Sequence, residues 1–397
     1  MLLEDFLRYQ AKTTPQPMGM VVKSAKGSYI TDSNGKKYLD FVAGVSACSL
    51  GHRHPAVIRA IKKQLKRYLH VMVYGEYAQA PAVELCKLLA SQLPKSLEVT
   101  YLTNSGTEAI EGAMKLAKRV TGREEFIAAH QAYHGSTQGA LSLLGVDAQK
   151  KGYTPLLPKV NFIHFNAKEE IDKITTKTAA VILETIQGGA GFIVPEKDYL
   201  KAVKARCEEV GALLILDEIQ PGIGRTGSLF AFEQEGITPD ILVIGKGLGG
   251  GLPIGAFSSS SSMMEQLTHN PALGHITTFG GNPVIAAAAH ATLQTLLKKK
   301  LMEQVAEKEH LFRSLLVHPK IKEIRGRGLM LAPILTADVD LGKVVQRCQE
   351  RGLILFFLLW ERRALRISPP LTISPREIKK GCGIILDVLN EDINSVD

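Results

Sequence analysis

From about residue 55 to residue 260, helix-like patterns alternate with short apolar runs, and this alternation is what most limits the fold. Apolar residues at helical spacing suggest helices over 55–69, 80–92, 107–121 and 196–210. Short runs rich in Val, Ile and Leu suggest strands at 99–103, 125–129, 160–164, 179–183, 212–216 and 241–244. Strands this apolar need cover on both faces, so the expected architecture is α/β, with a mostly parallel sheet flanked by helices. Right-handed crossovers then collect the strand C-termini along one edge, where ligands bind.

The two ends of the chain read differently. Residues 1–45 suggest a short helix followed by strand-like pieces, with Asn34-Gly35 as a hairpin turn. The last hundred residues suggest a long helix near 283–315 and then short strands and helices. A chain of 397 residues exceeds the usual size of a single core. The expected division is an N-terminal segment 1–45 packing with the small domain, a large domain 46–285, and a small α+β domain 286–397.

Composition narrows the class of protein. With 45% hydrophobic and 22% charged residues the chain is globular. No apolar run approaches the ~20 residues needed to span a bilayer. The start, Met1-Leu-Leu-Glu-Asp5, is acidic where a secretory signal is basic, so a cytoplasmic location is expected. The cysteines Cys48, Cys86, Cys207, Cys348 and Cys382 are scattered and never form C-x-x-C, which argues against a disulfide frame and against a zinc site. The net charge of +9 is spread along helix faces without interleaved aromatics, so neither nucleic acid nor membrane is an expected partner.

Two strand ends carry the chemistry. The run 212–216 ends in Asp217, and 241–244 leads into Lys246 within a glycine-dense loop. A carboxylate at the end of a buried strand needs a cation or hydrogen bonds. A lysine and an aspartate so placed suit pyridoxal phosphate: the amine forms a Schiff base and the acid keeps the ring nitrogen protonated. Ile219 could press on the ring face, and Gln220 could reach its phenolic oxygen. Two rival phosphate motifs fail. Lys246 is followed by Gly247 rather than Ser or Thr, against a Walker loop, and the two G-x-G-x-x-G matches are followed by helix breakers.

Other segments are less specific. Ser105, Gly106 and Thr107 open a helix after a strand, which suits a phosphate or an ordinary helix cap. Tyr133 could stack on a cofactor or simply pack. The loop around Thr278 offers a further phosphate hydroxyl. Arg366, in an apolar strand, suits a substrate carboxylate or a structural ion pair.

Together these segments resemble the class III pyridoxal-phosphate-dependent aminotransferases, the group of acetylornithine, ornithine and 4-aminobutyrate enzymes. The most specific stretches are Asn104-Ser-Gly-Thr-Glu-Ala109, Asp217-Glu-Ile-Gln-Pro-Gly-Ile-Gly-Arg-Thr-Gly227, Gly245-Lys-Gly-Leu-Gly-Gly-Gly251 and Thr277-Thr-Phe-Gly-Gly-Asn-Pro283. The resemblance implies a fold-type-I transferase that moves an amino group from an amino acid or amine to a 2-oxo acid, 2-oxoglutarate or pyruvate, by a ping-pong mechanism. It implies Lys246 as Schiff-base lysine and general base, Asp217 under the ring nitrogen, and Tyr133 and Ile219 sandwiching the ring beside Gln220. Ser105, Gly106 and Thr107 would hold the phosphate, and Arg366 would bind a substrate carboxylate. Thr278 would reach the cofactor of a second subunit in a homodimer.

Three positions depart from the family pattern. Gly189 replaces a glutamate that shields the arginine, Ser136 replaces an arginine that grips a distal carboxylate, and Val45 replaces a tyrosine of ornithine enzymes. The expected donor therefore presents a carboxylate to Arg366 directly or lacks a distal acid. The alternatives are an aminomutase, a decarboxylating transaminase or a racemase on the same scaffold. A dehydrogenase and a non-catalytic binding protein are more distant readings.

Overall fold

The computed structural model describes residues 1–73 and 75–393. After a helix at Leu2–Tyr9 come three antiparallel strands, β1 (Val22–Lys26), β2 (Tyr29–Asp32) and β3 (Lys37–Asp40). The turn at Asn34-Gly35 forms as expected. Gly35 takes a φ of 85°, open to glycine, and Asp32 Oδ1 accepts the N–H of Asn34 and of Lys36 at 2.9 Å each.

Seven strands then build the main sheet: β4 (Val99–Thr103), β5 (Glu125–Ala129), β6 (Val160–Ile163), β7 (Thr178–Glu184), β8 (Leu213–Asp217), β9 (Ile241–Gly245) and β10 (Gly255–Ser259). Their spatial order is β4-β10-β9-β8-β7-β5-β6. Every neighbouring pair is parallel except the two made by β10, which runs antiparallel to β4 and β9. Every residue of β7, β8 and β9 is buried, which is why these strands read as unbroken apolar runs.

Within the serine run at 258–262, Ser258 and Ser259 end β10 and are fully buried. Their hydroxyls are satisfied there, Ser258 with Thr100 Oγ1 at 2.8 Å and Ser259 donating to the Asp240 carbonyl at 2.7 Å. One sequence expectation needs correction: the long helix near 283–315 is two helices, Pro283–Lys298 and Val305–Leu315, separated by a short turn. The break falls at the lysine run, where Lys300 has a φ of 50° and no helix can continue.

The remainder holds a hairpin of β11 (Ile321–Arg327) and β12 (Met330–Leu335), then β13 (Leu353–Ile354), β14 (Phe356–Phe357) and β15 (Leu365–Arg366). β13 pairs in parallel with β3, so the N-terminal strands and the C-terminal region share one four-stranded sheet. β14 and β15 form a hairpin with Phe356 opposite Arg366 and Phe357 opposite Leu365 at the loop. No helix among the described residues is long and apolar enough to cross a membrane.

Candidate active site

Strand register assembles the site. Glu184 lies opposite Asp217, Asp217 opposite Val243, Gly245 opposite Gly255, and Gly255 opposite Thr103. The ends of β7, β8, β9 and β4 therefore share one edge, bringing Glu184, Asp217, Lys246 and the 104–106 turn side by side. Gly255 permits this closeness, because a Cβ there would stand 1.9 Å from the Ser105 carbonyl oxygen.

Asp217 is buried and held on both oxygens. Oδ1 accepts the Ile219 N–H at 2.9 Å, and Oδ2 lies 2.8 Å from Nδ1 of His134. Burial disfavours a charged imidazole, but the Asp217 hydrogen bond and the charges of Asp217 and Glu184 outweigh it and raise the His134 pKa. Among the described residues Nε2 of His134 finds no partner. Glu184 accepts N–H groups from Tyr133 at 3.2 Å and Gly188 at 2.9 Å, and burial pushes its pKa up to about 7.

Lys246 follows β9 directly and has a φ of 38°, a left-handed conformation that costs a non-glycine residue about 1–3 kcal/mol. Strain of this kind persists where surrounding structure enforces it, and here the flanking glycines leave the turn room. Burial lowers the lysine pKa. Asp217 and Glu184 oppose that shift and Arg366 adds to it, leaving a larger neutral, nucleophilic fraction of the amine.

At the neighbouring strand end, Ser105 caps the sixteen-residue helix Gly106–Thr121, its hydroxyl accepting the Glu108 N–H at 3.3 Å. The cap reading is thus correct for Ser105, and it leaves the first-turn N–H groups of Gly106 and Thr107 available for an anion. Thr107 Oγ1 stands 2.7 Å from Thr137 Oγ1. Gly135 makes room for it, since a Cβ there would come within 2.2 Å of that hydroxyl. Ile219 packs over the same turn, 2.6 Å from where a Gly106 Cβ would be.

Gln220 Nε2 donates to Ser46 Oγ at 3.5 Å. Ser46 closes a run of four residues with positive φ, from Ala43 to Ser46. Tyr133 remains 38% exposed, its ring free to stack. Arg366 is buried, its Nε donating to the Phe357 carbonyl at 3.2 Å and its guanidinium 5.8 Å from the Phe192 ring. Its Nη1 has no partner among the described residues, and no carboxylate there pairs with it, so the ion-pair alternative fails. Burial lowers its pKa to about 10. Thr278 is the one predicted residue standing apart, exposed on the loop whose Thr277 accepts from Asn104 Nδ2 at 2.8 Å.

Sequence reasoning left His134 and Ser46 without roles. His134 follows Tyr133 directly, and a histidine beside a strand end in a chain with a buried strand-end aspartate was the available signal.

These groups fit pyridoxal phosphate: helix N–H groups for its phosphate, a buried carboxylate backed by histidine for its ring nitrogen, and a desolvated amine for its aldehyde. Such a site on such a sheet is that of a fold-type-I pyridoxal-phosphate enzyme. Comparison with known proteins narrows the class. A family model described as aminotransferase class-III matches residues 9–389. The acetylornithine aminotransferase of Clostridium acetobutylicum is 38% identical, over 90% of this chain and 93% of that protein. The putrescine aminotransferase of Pectobacterium atrosepticum is 40% identical, over 97% of this chain and 86% of that protein. Among solved structures, the ornithine aminotransferase of Toxoplasma gondii superposes with a TM-score of 0.90 at 31% identity, covering 98% of this chain and 94% of that one. The chain belongs to the class III aminotransferase family, and it is a pyridoxal-phosphate-dependent aminotransferase.

Proposed function

We propose that this enzyme takes an amino group from an amino acid or amine and passes it to a 2-oxo acid, 2-oxoglutarate or pyruvate, in two ping-pong half-reactions. The cofactor, when bound, supplies an aldehyde that condenses with amines and a ring that draws electrons from an adjacent C–H bond. Lys246 holds that aldehyde and then moves the proton at its Nζ. Asp217, backed by His134, keeps a negative charge opposite the ring nitrogen. Ser105, Gly106 and Thr107 would hold the phosphate, Tyr133 and Ile219 the ring faces, and Gln220 the phenolic oxygen. The observation that carries this reading is the adjacency of a desolvated Lys246 and a buried Asp217 at the ends of neighbouring strands.

Arg366 binds a substrate carboxylate. Its support is a buried guanidinium with a free nitrogen and no carboxylate of its own among the described residues. With Gly189 and Ser136 supplying no competing charge, the donor presents a carboxylate to Arg366 or has no distal acid. A panel of donors against 2-oxoglutarate and pyruvate tests this. The expected result is slow turnover of acetylornithine and 4-aminobutyrate; fast turnover of both, unaffected by Gly189→Glu, contradicts it. An isotope-labelled donor separates transfer from mutase or racemase chemistry.

The enzyme works as a homodimer. Tyr77, Val83, Leu273 and Ile276 are exposed apolar side chains around a groove of about 960 Å³, and Thr278 lies on the same loop as Leu273 and Ile276. Sedimentation should give twice the chain mass, and Thr278→Val should weaken cofactor binding without changing that mass. In the same reading the chain divides at 1–45, 46–285 and 286–397, with β3 joining the first part to the last.

A further inference from the structure

We propose that Trp360 is a specificity-determining residue, its indole N–H donating to an oxygen of the substrate carboxylate held at Arg366. This rests on the reading that Arg366 takes that carboxylate.

The indole is fixed by a glycine. The backbone N–H of Trp360 donates to the Gly189 carbonyl at 2.9 Å. A Cβ on Gly189 would stand 2.6 Å from Nε1 and 2.9 Å from Cδ1 of the indole, so another residue at 189 would displace the ring. The residue before Gly189 lies against the candidate active site. At Gly188, one residue earlier, a Cβ would lie 2.8 Å from Gln220 Oε1 and 3.0 Å from Glu184 Oε1.

Two donors here lack acceptors. Trp360 Nε1 is closed off from solvent and unpartnered among the described residues, and so is Arg366 Nη1. Both belong to one hairpin, with Arg366 in its outer pair and Trp360 in the loop at its tip. Buried donors without partners are unfavourable, and native proteins rarely leave two in one hairpin. A carboxylate has two oxygens and answers both, one for the guanidinium and one for the indole as its edge tilts off Gly189. An amine without a carboxylate answers neither. The pair therefore selects amino acids and 2-oxo acids over simple amines.

Trp360 is the only tryptophan in the chain, so its fluorescence reports on this position alone. Glutarate, an unreactive dicarboxylate, should change that fluorescence saturably in the holoenzyme and fail to do so in Arg366→Gln. Trp360→Phe keeps a ring but loses the donor. It should raise KM for the 2-oxo acid about ten-fold, with kcat changed less than about two-fold, and leave the half-reaction of a carboxylate-free amine untouched. Flat fluorescence, an unchanged KM, or equal slowing of both half-reactions overturns the assignment. If Arg366→Gln itself leaves the 2-oxo acid KM unchanged, the reading of Arg366 falls with it. If only Trp360→Phe is silent, Arg366 keeps its role and Trp360 does not.

Discussion

Nδ1 of His134 lies 2.8 Å from Oδ2 of Asp217, and the two side chains share a pocket almost closed to water. The histidine fixes the carboxylate's orientation at the end of β8 and stabilises its charge. Replacing Asp217 with alanine should leave cofactor attached to the protein but lower turnover by about 10²- to 10³-fold, the usual loss when a preorganised charge is removed. His134→Asn should cost about ten-fold, as one buried hydrogen bond is weakened. Stopped-flow measurement of the first half-reaction checks both. Wild-type rates in Asp217→Ala remove it from the mechanism.

The turn after β4 should govern affinity more than rate. Thr107→Val deletes one donor to the expected phosphate and should weaken cofactor binding about ten-fold. Gly106→Ala should weaken it further, because the new methyl meets Ile219 at 2.6 Å. Fluorescence or absorbance titration of cofactor-free protein measures both. Identical affinities for the two variants and wild type would place the phosphate elsewhere.

A second buried pair gives a pH signature. His52 Nε2 stands 2.8 Å from Asp40 Oδ2, and the hydrogen bond to Asp40, then that to Cys48, raises the His52 pKa from 6.5 to about 10. Asp40 Oδ1 meanwhile accepts the N–H groups of Val42 and Ala43, anchoring the left-handed run beside Gln220. A raised folded-state pKa contributes stability that is complete below pH 6.5 and lost as pH rises towards 10. Unfolding in urea should show wild type ahead of His52→Gln by ~1–2 kcal/mol at pH 6, after allowance for solvent screening. That lead should shrink steadily to pH 10, and a pH-independent difference would contradict the pairing.

The parts of this molecule readable from sequence are those where local pattern and global packing agree. β7, β8 and β9 were legible because both faces of each are buried. Asp217 and Lys246 were legible because a charged group at the end of such a strand is costly without a purpose. The fit of β10 escaped notice because its serines pair with Thr100 and Asp240, which only the assembled sheet brings near. His134 sits 83 residues from Asp217, so their contact follows from the β5–β7–β8 order and not from spacing. The Trp360–Gly189 packing is equally non-local. The lysine run at 298–300 carried helix propensity but no apolar face to bury, and there the helix breaks.

The most direct test is reduction of the purified holoenzyme with borohydride, followed by peptide mass mapping. The expected result is loss of the visible cofactor band and a single pyridoxyl group on the peptide containing Lys246. A pyridoxyl group on a different lysine, or a protein that never carries one, contradicts the account.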